Sequence, residues 1–370
     1  MTPAAAIPIS VIAGFLGAGK TTLLNRILRE RELAGALVIV NEWGEIGLDH
    51  LLIERVDGDV VLLSSGCLCC SLRGDLVDAL HDLADRRDRG RIAPFNRIII
   101  ETSGLADPAP ILHAVMADRE LAGRYRLAGV VTLIDAVNGA STLRDIPEST
   151  RQAALADLIA IAKSDLLDPA ERPARFAALE AMLRALNPGA RVLDVAAGEL
   201  SAADLIAIDP CDDASVGLRI GETPGRASRS VFGSSAGLPS EGLHRTGVRA
   251  YSLRLSEPVA AHAFAFFLEL LGAALGPKLL RVKGLIGLAA HPSEPLIVHG
   301  VQHILHPPRR LRAWPDEDRS TRIVAIADGI DPSTIDALWA ALAGAPRVDA
   351  PDLAALTLSP LAPPRGGLLG

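Results

Sequence analysis

The chain has 370 residues, of which 49% are hydrophobic and 22% charged, the profile of a folded globular protein with room for two domains. A net charge of −7 lacks the basic surplus of a general nucleic-acid binder, so no nucleic-acid partner is expected. The N-terminal MTPAAAIPIS has neither the basic start nor the apolar run of a signal peptide. The most apolar stretch, residues 261–275, carries His262 and Glu269 and is too short to cross a bilayer, so a cytoplasmic protein with no membrane partner is expected.

Apolar runs at Ile9–Ala13, Leu37–Asn41, Val60–Leu63, Arg97–Glu101, Val130–Ile134, Leu158–Ala162 and Val192–Val195 read as strands buried on both faces. Helical patterns separate them, beginning with Thr22–Leu33, where Leu24, Ile27 and Leu28 share a face. The alternation predicts an α/β fold with a doubly wound, mostly parallel sheet over residues 1–210. Residues 211–246 are rich in Gly, Ser and Asp and read as a flexible linker, in which Cys211 is incidental. Residues 247–345 read as a smaller α+β domain. Its elements are a half-exposed strand at Arg249–Leu255, a helix at Val259–Leu275, strands at Leu279–Leu288, Leu296–Leu305 and Thr321–Ala327, and a helix after Pro332. The helix residues Phe264, Phe266, Phe267, Leu270 and Leu271 read as core rather than as a recognition face. Residues 346–370 are Pro- and Gly-rich and are expected to be disordered.

After the first strand comes Gly14-Phe-Leu-Gly17-Ala18-Gly19-Lys20-Thr21, a full match to G-x-x-x-x-G-K-[ST] between a strand and a helix. Backbone N–H groups of such a loop wrap the β-phosphate, and the helix N-terminus adds its positive end. Lys20 is expected to reach the β- and γ-phosphates and the Thr21 hydroxyl to bind Mg²⁺. Glu101 closes a buried strand and is placed to hold the Mg²⁺ shell, and Gly104, three residues on, to offer its N–H to the γ-phosphate. Ala162-Lys163-Ser164-Asp165 stands where GTPases carry [NT]-K-x-D. Asp165 would accept from guanine N1 and N2 while the Lys163 stem packs on the base. Alanine replaces the leading polar residue, so one side-chain hydrogen bond is missing.

Three of the four cysteines, Cys67, Cys69 and Cys70, follow the Val60–Leu63 strand. In a reducing compartment this cluster reads as a metal site, zinc above all. One, two or all three sulfurs are candidate ligands, with Glu42 or Glu45 of Asn41-Glu-Trp-Gly-Glu45 as a further ligand. His299, His303 and His306 sit in a run that reads as a strand, with 299 and 303 on one face and 306 opposed. Ordinary hydrogen-bonded histidines are expected there rather than a metal site.

In this order GFLGAGKTTLLNRIL, NEWGEIGLD, GCLCC and ETSGLADP resemble the CobW-type family of metallochaperone GTPases, and RVKG, HGVQHILHPP and TRIVAIADG resemble that family's C-terminal domain. The resemblance spans about residues 7–345. It implies GTP hydrolysis coupled to handling Zn²⁺, or in some members Co²⁺, for a client metalloprotein. It implies phosphate contacts from Gly17, Gly19, Lys20, Thr21 and Thr22. It also implies Asp49 in a first switch segment at Mg²⁺, Glu101 in a second, and metal on Cys67, Cys69 and Cys70 with Glu42. The linker holds only His244, which argues against metal storage. Alternatives are a GTPase inserting cobalt or nickel, a nucleotide- and zinc-gated regulatory protein, and an ATP-using kinase. Homodimer formation is left open.

Overall fold

The computed structural model describes residues 6–42, 60–64, 71–208, 247–306 and 308–343. Seven strands, β1 (Ile7–Gly14), β2 (Ala36–Glu42), β3 (Val60–Ser64), β4 (Arg97–Thr102), β5 (Tyr125–Asp135), β6 (Leu158–Ala162) and β7 (Arg191–Asp194), form one sheet in the order β3-β2-β4-β1-β5-β6-β7. Every described pairing in it is parallel. All seven strands therefore end on one edge of the sheet, where ligands of open α/β folds bind.

Side chains of β1 alternate between two cores. Ile9, Val11 and Ala13 pack with α2 (Ser71–Asp88), α3 (Ala109–Ala117), α6 (Pro147–Leu155) and α7 (Arg172–Leu186). Ile12 faces the other side, with Leu23, Leu24 and Ile27 of α1 (Lys20–Ile27) and Ala202 and Leu205 of α8 (Ala202–Ala207). Among the described residues this part also holds three shorter helices, α4 (Arg119–Arg124), α5 (Gly139–Asp145) and α8 itself.

The second sheet is antiparallel, in the order β11-β10-β9-β13-β8, with β12 also on β10. Its strands are β8 (Val248–Leu255), β9 (Leu279–Leu288), β10 (His291–Val301), β11 (Ile304–Leu305), β12 (Arg309–Arg310) and β13 (Thr321–Asp328). One face buries against α9 (Ala261–Leu275) and α10 (Pro332–Leu342), where Phe264, Phe267 and Leu271 pack on Leu338 and Trp339. Of the helix residues expected as core, Phe264, Phe267 and Leu271 are buried and Leu270 is half-buried, but Phe266 is exposed and does not join the core. From the other face Val248, Leu280, Val301 and Ile326 join the core of the parallel sheet.

A register shift at Leu280 leaves Arg281 and Lys283 pointing the same way as that residue, toward the first sheet. There Asp157, 3% exposed, receives the Arg281 guanidinium and, at 2.6 Å, the Lys283 ammonium. Burial would push the Asp157 carboxyl up, but the two cations outweigh it and hold it far below the carboxylate range. Arg281 also donates to the Leu155 carbonyl at 2.7 Å.

Five expectations are corrected. The helix at Thr22–Leu33 ends at Ile27, because Glu30 is extended and accepts the Ala202 N–H at 2.7 Å. The helix expected at Val259–Leu275 is α9 and starts at Ala261, since Val259 instead bridges Leu288. The strand Leu296–Leu305 is two strands: Gln302, with φ 51°, turns the chain back as β11. His306 consequently lies beside His299, its N–H on the His299 carbonyl at 3.0 Å and the rings 4.0 Å apart, rather than on the opposite face. His303 meets His113 edge-on at 5.2 Å. The side-chain hydrogen bond expected of these histidines is absent at His306 Nε2, and burial lowers both His299 and His306, the latter to about 4. No group of three or more His, Cys, Asp or Glu among the described residues is placed to hold a metal ion.

Candidate nucleotide and metal site

β1 delivers the chain to the sheet edge at Gly14, whose φ is 143° and whose Cβ would lie 2.6 Å from the Leu133 carbonyl oxygen. Gly17 and Gly19 follow at φ 73° and 96°, a left-handed path that L side chains resist, and α1 starts directly at Lys20. With Ala18 and Thr22 between and after them, this builds the loop that the motif requires. Lys20 is buried and arches back over it, Nζ donating to the Gly14 carbonyl at 2.9 Å.

The Thr21 hydroxyl donates to Glu101 Oε1 at 2.7 Å. Eighty positions apart, they meet because β4 pairs with β1, Ile12 opposite Glu101. A hydroxyl and a carboxylate side by side are hard oxygen donors of the kind Mg²⁺ takes, so these residues fit that ion. Gly104 approaches Leu16 so closely that a Cβ would come within 2.6 Å of the Leu16 nitrogen. Any larger residue would push this segment off the phosphate loop.

Gln152 is a residue that the sequence did not flag. Fully buried on α6, it donates from Nε2 to the carbonyls of Gly104 at 3.2 Å and Ala106 at 2.9 Å. One turn on, the same helix accepts Arg281 at Leu155. The segment after Glu101 is thus tied through α6 to the second sheet. A helix interior glutamine carries no pattern that would have disclosed this.

On the far side of β1, β6 ends at Ala162, which is buried, pairs with Asp135 of β5 and accepts the Ala136 N–H on its carbonyl, 2.8 Å away. Lys163 follows with φ 62°, its ammonium 3.0 Å from Asp135 Oδ2. The Ser164 hydroxyl lies 2.7 and 2.9 Å from the two Asp194 oxygens, and Arg172 donates to the Asp165 carbonyl at 2.9 Å. Asp135 and Asp194 close β5 and β7, so the strand-end carboxylate logic that singled out Glu101 would also have found them.

Of the segments flanking the expected thiolate site, β2 and β3 are described by their backbones. Asn41 pairs with Thr102 and Glu42 with Ser64, so β2 lies between the strand that carries Glu101 and the strand that precedes the cysteines. Cys67, Cys69, Cys70, Asp49, Glu45, Cys211 and the Glu42 side chain lie outside the described residues, as do the expected linker and tail. No helix among the described residues is long and apolar enough to cross a membrane.

Residues 8–194 match the CobW/HypB/UreG nucleotide-binding domain, and residues 248–343 match the cobalamin synthesis protein cobW C-terminal domain. The chain is 32% identical over 336 residues to the zinc chaperone YjiA of Escherichia coli, covering 91% of this chain and 98% of that one. It is 30% identical to the zinc chaperone CobW of Pseudomonas aeruginosa, over 90% of this chain and 91% of its relative. The crystal structure of Zn(II)-bound YjiA GTPase superposes with a TM-score of 0.68 at 28% identity, covering 92% and 99% of the two chains. Phosphate loop, sheet order, second domain and full-length likeness agree: the chain belongs to the CobW/HypB/UreG family and is a P-loop GTPase.

Proposed function

We propose that this GTPase is a metallochaperone. It binds Zn²⁺ as cargo through Cys67, Cys69, Cys70 and Glu42 and passes it to a client metalloprotein, with release coupled to GTP hydrolysis. The observation that carries the reading is the position of β2, whose end adjoins both Thr102, next to Glu101, and Ser64, three residues before Cys67. A displacement of one strand end is felt at both neighbours. The names of the relatives, zinc chaperones and a zinc-regulated GTPase metalloprotein activator of Schizosaccharomyces pombe, support zinc as the cargo.

Within the site, Gly14, Gly17, Ala18, Gly19 and Thr22 shape a loop of inward N–H groups for the phosphates, and Lys20 neutralises charge developing between the β- and γ-phosphates. Thr21, Asp49 and Glu101 would hold Mg²⁺, which supplies Lewis-acid stabilisation of the transferring phosphoryl group when bound. Gly104 offers its N–H to the γ-phosphate; Lys163 and Asp165 select guanine. Switch segments held by the γ-phosphate relax on its loss, so GTP gathers the sulfur site and hydrolysis loosens it.

A ligand shifts such an equilibrium only through differential affinity. Competitive chelator titration should therefore give tighter Zn²⁺ binding with a non-hydrolysable GTP analogue than with GDP. A GTPase time course should respond to Zn²⁺ in wild type and not in the Cys67→Ala/Cys69→Ala/Cys70→Ala variant. Equal zinc affinities in both nucleotide states would overturn the coupling.

A further inference from the structure

Asp135 stands at the end of β5 with its carboxylate turned into the Ala162–Leu166 loop. Its Oδ1 accepts the Val137 N–H at 2.7 Å, so the group is oriented before it meets anything else. Its Oδ2 takes the Lys163 ammonium at 3.0 Å. Burial favours the neutral acid, yet the Lys163 hydrogen bond and the Val137 N–H keep the carboxyl below its usual range and ionised.

Lys163 needs such a partner. It is one of two non-glycine residues with positive φ among the described residues, a conformation that L side chains resist. The preceding residue cannot help. Ala162 has no polar side chain with which to tie the loop; its contacts to β5 are those of the backbone. Three side chains from neighbouring elements tie it instead: Asp135 on Lys163, Asp194 on Ser164, and Arg172 on the Asp165 backbone. Asp135 alone of the three grips the side chain whose stem would lie along the base.

We infer that Asp135 is a positioning residue for base recognition: by anchoring the Lys163 ammonium, it fixes the Lys163 stem and the Asp165 carboxylate in the arrangement that reads guanine. The inference rests on the assignment of Lys163 and Asp165 to the base. It makes Asp135 a determinant of guanine affinity that replaces, from β5, what Ala162 does not provide.

The test is fluorescent-GDP binding and competition by GTP and ATP, on the full chain with Mg²⁺. Asp135→Asn should weaken GDP binding about tenfold and lower the preference for GTP over ATP to a similar degree, with the melting temperature nearly unchanged. Asp135→Glu should recover part of the loss. In a Lys163→Met background, which keeps the stem and removes the ammonium, Asp135→Asn should add nothing further. An ordinary surface ion pair predicts no change in base preference, and that result overturns the inference. So does an additive loss in the double variant. If Asp135→Asn fails to fold, Lys163→Met alone decides: unaltered guanine preference refutes the inference. Asp165→Ala separates the two levels. If it too leaves the base preference intact, the base-loop assignment itself fails; if it abolishes the preference while Asp135→Asn does not, only Asp135 is excluded.

Discussion

Replacing Asp157 by alanine tests whether the two sheets are joined by charge or merely by contact. The carboxylate is 3% exposed and serves three donors: the Arg281 guanidinium, the Lys283 ammonium at 2.6 Å, and the Val130 N–H at 2.9 Å. Arg281 keeps the Leu155 carbonyl and Lys283 a 3.3 Å contact to the Gly189 carbonyl, but neither carbonyl neutralises a cation. Their side chains are only 7% and 13% exposed, so water cannot replace the lost charge. Removing one partner of a buried ion pair costs about 3–5 kcal/mol, chiefly the penalty of the charge left behind. Urea denaturation of Asp157→Ala should show a loss of that size. The penalty should be flat between pH 5 and 9: a carboxyl whose folded pKa is depressed contributes in full above its ordinary value of 3.8 and loses that contribution only as pH falls below it. Adding Arg281→Met and Lys283→Met removes the stranded cations and should restore most of the stability. A penalty below about 1 kcal/mol, or one undiminished in the triple variant, would refute the argument.

Gln152→Leu strands the carbonyls of Gly104 and Ala106 and should cost about 2 kcal/mol, while weakening a GTP analogue more than GDP because the segment it releases is the one assigned to the γ-phosphate. Isothermal titration that finds both nucleotides equally affected would limit Gln152 to a packing role. Burial pushes both His299 and His306 below their ordinary 6.5; the charges of His306, Arg281 and Lys283 add to this at His299, that of Arg281 alone adds at His306, and Asp157 opposes at both. An unfolded chain takes up these protons first, so stability should be constant above pH 7 and fall as pH drops from 6.5 toward 4. The loss is up to about 3 kcal/mol for His306 alone. A His299→Asn/His306→Asn variant should flatten that slope; an unchanged slope in the variant would place the acid sensitivity elsewhere.

Much of the fold is legible because its signals are local. The central strands of the parallel sheet contain the apolar runs expected of strands covered on both faces, although β5 begins at Tyr125, ahead of the Val130–Ile134 run, and β7, at the sheet edge, is only partly buried. The phosphate loop is equally local: three positive-φ glycines and a helix start occupy eight consecutive residues. The misplaced boundaries have a common cause. The helix after Lys20 stops early because Glu30 is claimed by α8, and the strand at Leu296–Leu305 folds over at Gln302 because β11 returns to pair with β10. Both partners are remote in sequence or invisible to periodicity.

The sequence by itself determined the chemistry available: a triphosphate loop, a strand-end glutamate, a lysine–aspartate pair and a knot of thiols, each specified by neighbours a few residues away. Only the tertiary structure decided what these groups answer to. Parallel pairing brings Thr21 to Glu101, β5 brings Asp135 to Lys163, and a register shift at Leu280 aims Arg281 and Lys283 at Asp157. Such contacts join residues that are tens to more than a hundred positions apart. Chain connectivity places no constraint on them until the sheets have formed, so no local pattern in the sequence announces them.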